Sequence, residues 1–127
     1  MEPFLLSEKD TEILIRKYLN LKNFNVKDRK TAHGVDIEAI DEFGISYFIE
    51  VEGNKKPDGR PLTSSQKYTH FMRAIGQICM RMDKDGVYAL GLPFDTLYCD
   101  YLRRTLKARH LLGLKTYMVY PNEIKLE

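Results

Sequence analysis

Tryptophan is missing from this chain and cysteine is scarce: its 127 residues include no Trp and two Cys, Cys79 and Cys99. Both cysteines fall in apolar, helix-like stretches without C-x-x-C spacing. That excludes a disulfide scaffold and a thiolate metal site as working ideas, and leads us to expect buried free thiols in a reducing, cytoplasmic setting. No apolar run follows a basic start, so no secretory leader is expected. No stretch is long and apolar enough for a bilayer span, so no membrane partner is expected. A strong charge of one sign is also absent: 20 Lys+Arg stand against 18 Asp+Glu, a net +2. Such a balance neither demands nor excludes nucleic acid. The chain carries no GxxxxGK, GxGxxG, GxSxG or HExxH motif, which removes the commonest nucleotide-binding, hydrolase and zinc-peptidase patterns.

What is present suits one compact domain over residues 1–127, with 43% hydrophobic residues for a core and 30% charged residues of mixed sign. Ser7 reads as an N-cap, with Glu8 and Asp10 in the first turn. Ile13, Leu14, Tyr18 and Leu21 follow at helical spacing, which predicts a helix over residues 7–21. Three strands are expected next, at Phe24 to Arg29, Val35 to Asp41 and Ile45 to Glu52. Val35, Ile37 and Ala39 share one face, as do Ile45, Tyr47, Ile49 and Val51.

Gly53, Pro57, Gly59 and Pro61 mark a loop. A helix is then expected from Ser64 to about Met82, with Tyr68, Phe71, Met72, Ile75, Ile78, Cys79 and Met82 on its apolar face. Gly76 is expected to allow close helix-to-sheet packing. A strand at Val87 to Leu92, a helix from Asp95 to about Leu112 and a strand at Lys115 to Tyr120 complete the chain. The order predicts an α/β fold with a mixed sheet between helices.

The hairpin between the second and third strands carries the functional reading. Gly44 suits the left-handed position closing a three-residue loop, Glu42 to Gly44. Asp41 then pairs with Ile45, and counting outward sets Asp36 directly opposite Glu50. Opposed residues share a face, with Cβ atoms about 5 Å apart. Glu38 and Glu52 lie on that face too, so four carboxylates crowd one side of the hairpin. Like charges so placed repel and raise one another's pKa. Magnesium relieves this with oxygen ligands, usually one or two carboxylates plus water and substrate phosphate. The Val51 carbonyl is a further oxygen donor. The alternative is a solvated acidic face. Against it, Phe48 and Ile40 point to the carboxylate side, and the opposite side is continuously apolar. A one-residue change of loop length would separate Asp36 from Glu50.

The runs Gly34-Val35-Asp36-Ile37-Glu38-Ala39 and Tyr47-Phe48-Ile49-Glu50-Val51-Glu52-Gly53 resemble the core of the PD-(D/E)xK nucleases. That superfamily has the restriction endonuclease-like αβββαβ core; here an extra C-terminal helix and strand would follow. The resemblance implies that Asp36 and Glu50 are the metal-binding acids of a nuclease cleaving DNA with Mg2+, or Mn2+ as substitute. Glu52 stands where the family usually has lysine, and would be a ligand or the base that activates water. Metal ligands are therefore expected at Asp36, Glu50, Val51 and Glu52.

Family members often present a glutamine or lysine from the following helix, which points to Gln66, with Gln77 as second choice, as a fourth catalytic residue. Some place an acid on the first helix, for which Glu12 and Glu8 compete. Lys30, His33, Lys55, Lys56 and Arg73 are the expected nucleic-acid contacts, with Lys27, Arg29 and Arg60 as further candidates. Arg103, Arg104, Lys107 and Arg109 form a second basic cluster, expected on an exposed helix face. A catalytically inactive module of the same fold, binding nucleic acid or a protein partner, is the alternative. Double-strand cleavage would need a second copy, as a homodimer, or a protein partner.

Overall fold

The computed structural model describes residues 3–29 and 34–127. Its elements are α1 (Glu8–Leu21), β1 (Asn25–Val26), β2 (Ile37–Ile40), β3 (Ser46–Val51), α2 (Ser64–Met80), β4 (Val87–Pro93), α3 (Thr96–Arg104), α4 (Leu106–Leu112), β5 (Leu114–Val119) and β6 (Ile124–Leu126). They form a mixed α/β fold around a six-stranded sheet of order β1-β2-β3-β4-β5-β6. The first three strands are antiparallel neighbours, β4 runs parallel to β3 and to β5, and β6 is antiparallel to β5. No helix among the described residues is long and apolar enough to cross a membrane.

Alternation along the strands feeds two apolar clusters. Ile37, Ala39, Ile49, Val51, Ala89 and Tyr117 pack with Ile15 and Leu19 of α1. On the other side, Phe48, Tyr88, Leu90 and Met118 pack with Phe71, Ala74 and Ile78 of α2 and with Tyr98 and Leu102 of α3. Helices on both faces explain why β4 is apolar nearly throughout.

Several expectations change. Helix α1 buries Thr11, Ile15 and Leu19, while Ile13, Leu14 and Leu21 are exposed. Of the expected stripe only Tyr18 packs against the core, half-buried, while Arg16 donates to the carbonyls of Lys27 and Asp36. Val35 joins the α2 side rather than the cluster of Ile37 and Ala39, because it precedes β2. Helix α2 buries Phe71, Ala74 and Ile78 in the core and packs half-buried Ile75 against it, leaving Tyr68, Met72 and Cys79 exposed. Cys79 is therefore not the buried thiol expected, and Cys99 is half-buried. Gly76 is exposed with open space around it, so it does not serve close packing. The single helix expected after Asp95 is broken at Thr105, and β6 is an additional strand.

Candidate active site

The hairpin adopts the expected register: Ile37 faces Ile49, Glu38 faces Phe48 and Ile40 faces Ser46. The Asp41 amide donates to the Ile45 carbonyl at 2.9 Å, and Gly44, at φ +84°, donates to the Asp41 carbonyl at 3.1 Å. The Asp41 carboxylate also accepts from the Phe43 and Ile45 amides, both at 2.9 Å, which fixes the loop length. Just before β2, the Asp36 Oδ2 accepts from the Val51 amide at 2.8 Å. Asp36 lies close enough to Glu50 for its charge to raise the Glu50 pKa.

Burial makes these acids unusual. Glu50 and Glu52 are 5% and 4% exposed. Desolvation, then the charge of Asp36 and its hydrogen bond, push the Glu50 pKa upward. Desolvation and then the charge of Glu8 push Glu52 to about 8. The Glu8 pKa is raised as well, first by desolvation and then by Asp36.

Glu8 reaches the cluster because Gly53 follows Glu52. A Cβ at Gly53 would lie 2.4 Å from the Glu8 nitrogen and 2.6 Å from the Leu6 carbonyl oxygen, so only glycine lets the start of α1 cross the end of β3. Asn54 then fastens the crossing. Its Nδ2 donates to the Phe4 carbonyl at 2.9 Å and to Asp95 Oδ2 at 3.1 Å, and its Oδ1 accepts from the Leu6 amide at 2.8 Å. The Tyr98 hydroxyl donates to the Gly53 carbonyl at 2.6 Å, and Lys67 pairs with Asp95 at 2.8 Å.

Glu38, expected in the cluster, pairs instead with Lys27. Glu8 stands beside the other three acids in its place. Glu12 is held by Arg16 and Arg29, and Arg29 also reaches Asp36 Oδ1 at 3.1 Å. Arg16 clamps this corner, donating to the carbonyls of Lys27 and Asp36 at 2.8 Å each.

Helix α2 borders the cluster with cationic and basic side chains. His70 Nδ1 lies 2.9 Å from Glu52 Oε2, Arg73 lies 3.8 Å from Glu52 Oε1, and Arg81 lies 3.9 Å from Glu50 Oε1. The His70 pKa is lowered, by desolvation and then by Arg73, while that of Glu52 is raised. The charged form of each partner is therefore disfavoured, which weakens the ionic character of their contact.

Gln66 has a structural job. Its Oε1 accepts from the Thr63 amide at 2.9 Å and completes a capping box on α2. Lys55 and Lys56 line a cleft of about 1080 Å³ between the start of α1 and the 53–63 loop, together with Glu8, Arg29 and His70. Arg60 instead pairs with Asp58. The expected contacts Lys30 and His33 lie outside the described residues.

The donors at the cluster are all carboxylate oxygens, the chemistry of a hard cation. Among the described residues no three acidic, His or Cys side chains converge into a ready-made cage. Magnesium usually takes only one or two protein carboxylates, completing its shell with water and phosphate. The Asp36–Glu50 pair fits that requirement. Val51 is engaged through its amide, in the bond that orients Asp36. No family model matches this chain, and no curated protein or solved structure matches it either.

Proposed function

We propose that this protein is a metal-dependent nuclease of the PD-(D/E)xK type that hydrolyses phosphodiester bonds in DNA. The observation that carries the reading is the gathering of buried Glu50 and Glu52 with half-buried Asp36 and exposed Glu8, close enough for their charges to raise one another's pKa. Burying like charges together is unfavourable unless protons or a cation neutralise them. The succession of α1, an antiparallel β1–β2–β3, α2 and a β4 parallel to β3 supports the same reading, since it has the order of the αβββαβ core.

In this reading Asp36 and Glu50 hold Mg2+, with Mn2+ as a substitute. When bound, the ion polarises the scissile phosphate and lowers the pKa of a water molecule. The Val51 amide and Arg29 keep Asp36 aimed at the ion. Burial pushes the Glu52 pKa to about 8 in the metal-free protein; the charge of a bound cation would favour its carboxylate, which would then accept a proton from the attacking water, with His70 Nδ1 2.9 Å away to orient it. Lys55, Lys56 and Arg73 hold the phosphate backbone without reading its sequence.

A nicking assay on supercoiled DNA tests this. The wild-type protein with Mg2+ or Mn2+ converts the substrate to open circles, and Asp36→Ala and Glu50→Gln do not. The position of Glu52 where the family usually has lysine favours a second reading, an inactive module that binds nucleic acid or a protein. DNA binding with no cleavage under any divalent metal would select it.

A further inference from the structure

Arg109 was expected on an exposed helix face, yet it is 7% exposed and lines a pocket of about 370 Å³ between α4 and the β5–β6 edge. Its Nε donates to Thr105 Oγ1 at 3.1 Å and its Nη2 to the Leu102 carbonyl at 2.6 Å. Both partners are uncharged. Among the described residues no carboxylate lies within ion-pair distance of its guanidinium, and Nη1 makes no hydrogen bond. A guanidinium stays charged in a protein, so this is a buried cation with no direct ion pair; Glu127, also in the pocket lining, acts on it only through its charge at longer range.

A second, independent observation lies in the same pocket. Thr116 is 1% exposed, and its Oγ1 is a buried polar atom without a hydrogen-bond partner among the described residues. Leaving a buried hydroxyl unpaired is unfavourable unless something fills the site. His110 and Lys115 also line the pocket. Glu127 is the acid in its lining; its Oε1 accepts from the Tyr120 hydroxyl at 3.1 Å, and its main chain is paired with Thr116.

We propose that this pocket is a binding site for a phosphate group, free or carried on a nucleotide, held by Arg109 and Thr116 with Lys115 and His110 at its rim. Phosphate oxygens accept from a guanidinium and from a hydroxyl, and so satisfy both groups at once. None of the residues lining this pocket lines the acidic cleft. Thr116 shares a sheet row with Glu50 through Leu90, two strands or about 10 Å away along the sheet.

Inorganic phosphate and a nucleoside 5′-monophosphate are titrated in parallel into the full chain with EDTA present. Thermal shift and the backbone amide resonances of residues 109 to 116 are followed, with chloride at matched ionic strength as control. Saturable binding in either arm, lost in Arg109→Gln and weakened about tenfold or more in Thr116→Val, is the expected result. Tighter binding of the monophosphate would identify an ester-borne group as the ligand. Thr116→Val also removes the orphaned hydroxyl, so it raises Tm without ligand and keeps the test open if Arg109→Gln does not fold. Phosphate effects no larger than those of chloride, or binding unchanged in Thr116→Val, would overturn the proposal.

Discussion

Replacing Glu52 by Gln is expected to stabilise the metal-free protein increasingly as pH rises above about 4.5. Folding raises the Glu52 pKa from the ordinary 4.5 to about 8, chiefly by desolvation. A carboxyl shifted upward binds its proton more tightly in the native state. Its contribution to stability is full below pH 4.5, declines as pH rises, and is lost once pH passes about 8. Glutamine mimics the protonated acid at every pH. The variant should therefore equal the wild type near pH 4.5 and exceed it progressively up to about pH 8. Each pKa unit corresponds to about 1.36 kcal/mol, so the shift sets a ceiling of roughly 4–5 kcal/mol. Local relaxation and water entry reduce that, and about 2 kcal/mol is a conservative expectation. For a domain of this size it corresponds to a Tm increase of roughly 5–10 °C. Thermal denaturation in EDTA, run in matched buffers from pH 4.5 to 8.5, measures it. A gain equal at both ends of the range, or a loss at all pH values, would refute the account of a buried and electrostatically frustrated acid.

The supporting residues give further expectations. Gly53→Ala should lower stability by about 1–3 kcal/mol, read by urea denaturation, and reduce cleavage as well, because the new Cβ drives α1 and Glu8 away from the end of β3. Arg16→Gln loses two charged hydrogen bonds to the carbonyls of Lys27 and Asp36, each worth about 1.5–3 kcal/mol. It should weaken divalent-metal binding in calorimetry even though Arg16 touches no ligand oxygen. Lys55→Ala with Lys56→Ala should weaken DNA binding uniformly across sequences and shrink the dependence of log K on log salt by about 1–2.

The site was legible in the sequence wherever one short-range rule settled it. Gly44 at the left-handed loop position fixed the hairpin register of β2 and β3. Helix ends were legible where a cap stood, at Ser7 for α1 and at Asp95 for α3. The choice between Glu8 and Glu12 was not legible, because it depends on a backbone crossing at Gly53 between segments far apart in the chain. The Thr63–Gln66 capping box was present as a pattern, and it accounts for Gln66 without catalysis. Helix α2 has more apolar residues than its contact stripe uses, so periodicity alone mistook exposed Met72 and Cys79 for core. The break at Thr105 carries no Gly or Pro, and β6 is three half-exposed or exposed residues, too short for alternation to register. Arg109 looked like one cation among several; only the packing of α4 against β5 separates it from its exposed neighbours.

The central claim concerns one ion held by two side chains, and anomalous diffraction from a manganese-soaked crystal tests it most directly. The account predicts a peak bridging the Asp36 and Glu50 carboxylates, at about 2.0–2.2 Å from an oxygen of each. Saturating manganese with no peak there, or a peak that one of the two carboxylates does not touch, would contradict it.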